Sequence, residues 1–146
     1  MHVARAEHEA TLLPDGTVVV AGGTFSTDPA DVYQPATRSF TAVGPMVQFR
    51  GRHRGIFLSN PAWGSLQGKV LEIGGDITGG TVFGGAQQAL DSVELYDPAS
   101  GHFSFFGTMT VARQNHTTTL LNDGRILIAG GVGRPFLSGT AALVIP

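Results

Sequence analysis

The chain says nearly the same thing three times. Met1-x-x-x-Arg5-x-x-His8 runs on to Gly22-Gly23, Met46-x-x-x-Arg50-x-x-His53 to Gly74-Gly75, and Met109-x-x-x-Arg113-x-x-His116 to Gly130-Gly131. From Arg to the first Gly is 17 positions in the first and third copies and 24 in the second, so the middle copy carries an insertion of 7. A second landmark set, Tyr33 to Phe40 to Met46 and Tyr96 to Phe103 to Met109, keeps spacings of 7 and then 6 both times. A further insertion of 11 separates Gly75 from Tyr96, and the two insertions explain why one repeat is 63 residues long and the other 45. Such self-similarity implies one supersecondary unit copied in series, each copy burying its apolar face on the next.

Within a copy, short runs rich in Val, Leu and Ile alternate with turn residues, the pattern of a four-stranded antiparallel meander. Strand a is expected at Glu9–Leu13 and strand b at Val18–Ala21, joined through Pro14-Asp15-Gly16, and Asn122-Asp123-Gly124 joins Thr117–Leu121 to Arg125–Ala129 in the same way. Asp-Gly suits a hairpin because the turn needs positive φ. Strand c is expected at Asp31–Tyr33 and Ser92–Tyr96, and Asp97-Pro98-Ala99-Ser100-Gly101 turns it into strand d around Phe103. No stretch carries a sustained helical period. The double glycines close strand b, where close approach of neighbouring backbones leaves no room for a side chain.

The combination Arg-x-x-His, Asp-Gly-x-Val/Ile-x-x-x-Gly-Gly, Tyr-Asp-Pro and an aromatic followed by Met resembles the kelch repeat in its bacterial form and in the central domain of galactose oxidase. The resemblance covers nearly the whole chain. In the second copy Asn60–Gly68 departs from it, replacing the Asp-Gly hairpin with a longer loop. What it implies is an all-β, kelch-type β-propeller in which each four-stranded sheet is one blade around a central channel. Blade 1 is then 1–45, blade 2 is 46–108, and blade 3 is 109–146, together one partial propeller domain. Aligning Pro35, Pro98 and Pro146 puts Ala141–Ile145 at strand c with Val144 in the tyrosine position, and leaves blade 3 without its outer strand. A propeller typically has four to eight blades. Two to three blades are therefore expected either to belong to a longer ring or to close by self-association, for which a homodimer of six blades is the simplest form.

Composition narrows the partners. Charged residues are 14% and the net charge is −2, which gives no reason to expect nucleic acid or an anionic membrane. No apolar run approaches the ~18 residues of a spanning helix. Met1-His2-Val3-Ala4 opens in repeat phase, so no signal peptide is expected. With Cys 0, disulfides and thiolate metal sites are excluded, while the compartment is left open. No cofactor is expected.

In an up-and-down meander the b–c loops and the d–a links emerge at one end. By resemblance, that face binds substrates or partners. It gathers Thr24–Ala30, Asp76–Asp91, Val132–Thr140 and the links Gly44–Arg50 and Gly107–Arg113. The longest of these loops, with Asp76, Phe83 and Gln87, is rich in glycine but lacks the Gly-Lys-Ser/Thr ending of a phosphate loop. Arg5, Arg50 and Arg113 with His8, His53 and His116 recur in place, and a frame role through blade-to-blade hydrogen bonds is expected. The positions between them vary: Glu7 and Glu9, Arg52 and Arg54, Asn115 and Thr117. Residues two apart on a strand face the same way, so Arg50, Arg52 and Arg54 would display three guanidiniums suited to carboxylate or phosphate. The competing expectation pairs Arg52 and Arg54 with Glu7, Glu9 or other acids of adjoining blades. Candidate partner-binding residues are thus Arg52, Arg54, Asp76, Phe83, Gln87 and Asn115, and the expected function is recognition of a protein or small ligand on that face. The alternative is a piece of a galactose-oxidase-like carbohydrate or alcohol oxidase. That family's copper site uses two tyrosines, one cross-linked to cysteine, and two histidines; here Tyr33 and Tyr96 hold the repeated scaffold position and no cysteine exists, so its catalytic residues would lie outside this chain.

Overall fold

The computed structural model describes residues 1–23, 29–77, 88–133 and 141–144. These form three antiparallel sheets, each a meander in chain order. The first comprises β1 (Glu9–Leu12), β2 (Val18–Ala21), β3 (Asp31–Gln34) and β4 (Ser39–Ala42). The second comprises β5 (Arg54–Phe57), β6 (Val70–Ile73), β7 (Ser92–Asp97) and β8 (His102–Thr108). The third holds β9 (Thr117–Leu120), β10 (Ile126–Ala129) and β11 (Ala141–Val144). Their first strands lie side by side, β1 against β5 and β5 against β9. Sheets stacked in this way fit a propeller-like all-β fold, and the described residues do not close a ring.

Turn chemistry sets the registers. In the first hairpin the Gly16 N–H donates to the Leu13 carbonyl at 3.0 Å, and the Leu13 N–H to the Thr17 carbonyl at 2.8 Å. Only Gly16, at φ 86°, takes the left-handed conformation there, so the loop is a type I turn closed by a glycine bulge, and Asp15 contributes its carboxylate, which accepts from the Thr17 N–H at 2.9 Å. Leu121 through Arg125 repeat the arrangement, with Gly124 at φ 89°. The registers Val18 with Tyr33, Val70 with Tyr96 and Ile126 with Val144 are equivalent, so Val144 does stand in the tyrosine position. Each tyrosine pairs across to the phenylalanine seven residues later, Tyr33 on Phe40 and Tyr96 on Phe103, with ring centroids 5.1 and 4.7 Å apart. Such cross-strand aromatic pairs are the unit of stabilisation in a sheet.

The apolar core lies between sheets. Leu13, Val19 and Val32 of the first sheet's unit pack against Val70 and Tyr96 of the second. Leu58, Leu71, Ile73, Val93 and Leu95 of the second pack against Ile126 and Ile128 of the third. Several of these are wholly buried, each contributing about 1.5–3 kcal/mol.

Among the described residues, the seven-residue insertion of the second copy differs from the expected loop. Asn60 caps a short 3-10 helix, Pro61–Leu66, accepting the Ala62 N–H at 2.9 Å. The helix plants Trp63, buried at 4% exposure, in the core between sheets two and three, and its indole N–H donates to the Gly124 carbonyl at 2.8 Å. Trp63→Ala is expected to lower unfolding free energy by about 3–5 kcal/mol, read by urea denaturation, because it opens a cavity and strands a carbonyl. A loss below about 1 kcal/mol would mean the insertion is ornamental.

Candidate functional site

The repeated arginines precede the first strand of each sheet and reach across to the end of the second. Arg5 donates to the Gly22 carbonyl at 3.0 Å, Arg50 to the Gly74 carbonyl at 2.8 Å, and Arg113 to the Gly130 carbonyl at 2.9 Å. Arg50 is fully buried, and its guanidinium also meets Glu94 at 2.7 Å and the Ser92 carbonyl at 2.9 Å. Glu94 in turn accepts the Val47 and Gln48 N–H groups at 2.7 and 2.8 Å. Asp31, in the register position equivalent to Glu94, faces Arg5 at 3.5 Å and His2 at 2.5 Å. Burial alone would raise the Asp31 carboxyl, but hydrogen bonds from His2 and the charge of Arg5 hold it below its ordinary value. Sequence reasoning missed these acids because they lie on strand c, far along the chain from the arginines they serve.

The frame role of the arginines is therefore real, but their side chains act within their own sheet. The backbone makes the expected links between sheets. The Gly23 N–H donates to the Arg50 carbonyl and the Gly75 N–H to the Arg113 carbonyl, both at 2.9 Å. In the opposite sense the Arg52 N–H donates to the Glu7 carbonyl at 2.9 Å, and the Asn115 N–H to the Arg52 carbonyl at 3.1 Å. The first glycines make room: a Cβ on Gly22 would lie 2.5 Å from the Arg50 carbonyl oxygen and 2.6 Å from the His53 ring, and one on Gly74 would lie 2.6 Å from the Arg113 oxygen and 3.0 Å from the His116 ring. Close backbone approach, the expected reason for the double glycines, is what they provide.

Glu7, Arg52 and Asn115 all take the left-handed conformation, with φ of 60°, 53° and 54°. This overturns the expectation of three parallel guanidiniums, because an αL residue between Arg50 and Arg54 breaks the alternation of an extended strand. Arg50 turns inward. Arg52 meets Glu7 of the preceding unit at 2.8 Å, Asp76 of its own at 2.9 Å and Gln114 of the next at 3.2 Å. Burial opposes its charge, but Glu7 and Asp76 raise its affinity for the proton above the ordinary arginine value. Arg54 meets Glu9 at 3.2 Å and donates to the His116 carbonyl at 2.9 Å. The two arginines pair with the acids of the adjoining unit, and the anion-binding cluster is not formed.

What does assemble is a polar lip at the loop-bearing end, of Glu7, Arg52, Asp76, Gln114 and Asn115. Asn115 is exposed, the Glu7 and Arg52 side chains are part exposed, and Asp76 is buried with one carboxylate oxygen, Oδ1, lacking a hydrogen-bond partner. Phe83 and Gln87 lie outside the described residues. A second departure from the repeat sits beneath. Glu72, 1% exposed, occupies the register position held by Val20 and Ile128 in the other sheets, 3.2 Å from the His53 ring and beside Gly55. Among the described residues no group of three or more His, Asp or Glu is arranged to hold a metal ion. No described helix is long and apolar enough to cross a membrane, which leaves β-barrels unaddressed.

No family model matches the chain, and no curated protein matches it. Among solved structures it is similar to one titled "Structure of YjhT", at 19% identity and a TM-score of 0.68, over 90% of this chain and 36% of that one. The chain thus spans about a third of that protein, and the likeness is one of fold.

His116 carries the clearest electrostatic consequence of this packing. Burial, reinforced by the charges of Arg113, Arg54 and His53, lowers its pKa from 6.5 to about 4. Between those values the unfolded chain binds a proton that the folded chain refuses, so stability rises with pH across that window and is flat in this term above 6.5. The contribution lost on acidification is up to about 3 kcal/mol. Urea midpoints at pH 7 and pH 4.5 are expected to differ more for the wild type than for His116→Asn; equal drops would remove His116 as the cause.

Proposed function

We propose that the chain is a kelch-type β-propeller unit serving as a binding scaffold, with a protein or small ligand recognised at the face that carries the b–c loops and d–a links. One observation supports this above others. The recurring Arg50, His53, Arg113 and His116 are buried in the frame, whereas the residue between them that varies, Glu7, Arg52 or Asn115, is held by its own backbone at the lip. Its side chain takes no part in those sheet-to-sheet bonds: Asn115 is exposed, and Glu7 and Arg52 meet each other at the lip. A rigid scaffold that presents variable groups at one end is how repeat and propeller folds recognise partners. The charges within the lip, Glu7 and Asp76 about Arg52, favour a ligand that brings hydrogen-bond donors as well as acceptors.

The oxidase alternative draws no support from the tyrosines. Tyr33 and Tyr96 stand on strand c against phenylalanines of strand d, and burial followed by the neighbouring Asp97 raises the Tyr96 hydroxyl above its ordinary pKa.

The test is a 15N-labelled sample titrated with a panel of monosaccharides, amino acids and short peptides. Amide shifts are expected to concentrate at Glu7, Arg52 and Asn115, and Asn115→Gly, which tolerates the same φ, is expected to weaken the responding ligand about tenfold, or about 1.4 kcal/mol, with the urea midpoint unchanged. Shifts confined to the opposite turns, Pro35–Arg38 and Asp97–Gly101, would place recognition elsewhere and sink the reading.

A further inference from the structure

The two sheet-to-sheet junctions both lie within the chain and share one set of backbone bonds, yet different side chains fill them. In the second junction Ile56 of β5 packs on an apolar cluster that includes Ile128 of β10, Leu71, Ile73 and Trp63. Register puts Thr11 of β1 and Glu72 of β6 in the corresponding places of the first. Both reach the space over Gly55, where a Cβ would meet the Thr11 hydroxyl and lie 3.0 Å from Glu72 Oε2. Glu72 is 1% exposed, and that oxygen has no hydrogen-bond partner. The apolar residues of the first junction are divided into two smaller clusters, one about Val70 and one about Ala21.

The fastenings differ in the same direction. Across the second junction the Trp63 indole N–H donates to the Gly124 carbonyl at 2.8 Å, and the Asn60 amide to the Asn122 carbonyl at 3.1 Å. Across the first, two ion pairs form, Arg52 with Glu7 at 2.8 Å and Arg54 with Glu9 at 3.2 Å. Their four side chains keep between 17% and 40% exposure, so salt screens both pairs. Apolar burial is not weakened by salt in this way. A buried carboxylate oxygen without a partner is a further cost to the first junction, one that water relieves when the junction opens.

We infer that the junction between the first and second sheets is a salt-sensitive seam, at which the first sheet parts from the second while the second and third stay docked. Opening there hydrates Glu72 and gives up two screened ion pairs, whereas opening the second junction exposes Trp63 and the isoleucines. The seam runs through the lip, because Glu7 stands on one side of it and Arg52 on the other. The spacing of those two groups therefore follows the seam, and ionic strength becomes a control on the lip.

Native-state hydrogen exchange followed by NMR tests this, because each junction has two matched amide donors. Gly23 and Arg52 report the first, Gly75 and Asn115 the second. After correction for intrinsic rates, Gly23 and Arg52 are expected to exchange at least about tenfold faster than the other two. The ratio is expected to grow as NaCl is raised from about 0.1 M to about 1 M, where the screening length falls from about 10 Å to about 3 Å. Glu9→Gln removes one of the two ion pairs, so it is expected to raise the Gly23 and Arg52 rates several-fold and weaken their salt response, with Gly75 and Asn115 unmoved. Should that variant fail to fold, the salt series on the wild type decides. Four amides that exchange together, a ratio indifferent to salt, or faster exchange at Gly75 and Asn115 overturns the inference.

Discussion

The sheets hold together because a backbone carbonyl of one unit can sit where a glycine of the previous unit has no side chain. The Arg50 and Arg113 carbonyls enter the spaces beside Gly22 and Gly74, and the glycines one residue on, Gly23 and Gly75, donate to them. The arginine side chain completes the arrangement by occupying the carbonyl of the first glycine in its own sheet. Any Cβ at those first glycines would collide with backbone, which cannot move aside as a side chain can. In the first two sheets an acid on strand c, Asp31 or Glu94, faces the guanidinium, and in the third the equivalent register position is Ala142. One steric vacancy thus recruits an arginine, a carboxylate and two backbone bonds.

Much of this was legible in the residues. Spacing alone located the strands to within a residue or so, since Pro14-Asp15-Gly16 and Asn122-Asp123-Gly124 admit few backbone paths, and alignment of the prolines put Val144 in the tyrosine position, where it pairs with Ile126. What the sequence concealed was conformational or distant. Nothing in the letters Glu7, Arg52 and Asn115 announces a shared positive φ, because of the three only asparagine favours that region, while Glu7 and Arg52 occupy it at a cost of about 1 kcal/mol or more. That hidden kink is why the arginine cluster dissolves into separate ion pairs. The partners Asp31 and Glu94 were hidden for a different reason, namely that contacts between strands a and c skip over a whole hairpin.

The insertions behave differently from the frame. The shorter one, which reads as an irregular loop, folds back as a 3-10 turn and delivers Trp63 to the third sheet, so sequence outside the repeat strengthens a junction inside it. Glu72 does the reverse. Placed where the other copies hold Val20 and Ile128, it brings a carboxylate into an apolar register 3.2 Å from His53, with its Oε2 lacking a hydrogen-bond partner, which is costly to maintain.

The αL residues have an implication for how such a molecule diversifies. Their main-chain N–H and carbonyl groups carry the sheet-to-sheet links, so the side chain rides on the frame without being part of it. Substitution there is limited by backbone preference rather than by packing: glycine, asparagine and aspartate enter easily, β-branched residues do not. Each unit thus owns one letter of the lip, and rewriting it leaves the main-chain links between sheets in place, although replacing Arg52 also removes its bonds to Glu7, Asp76 and Gln114.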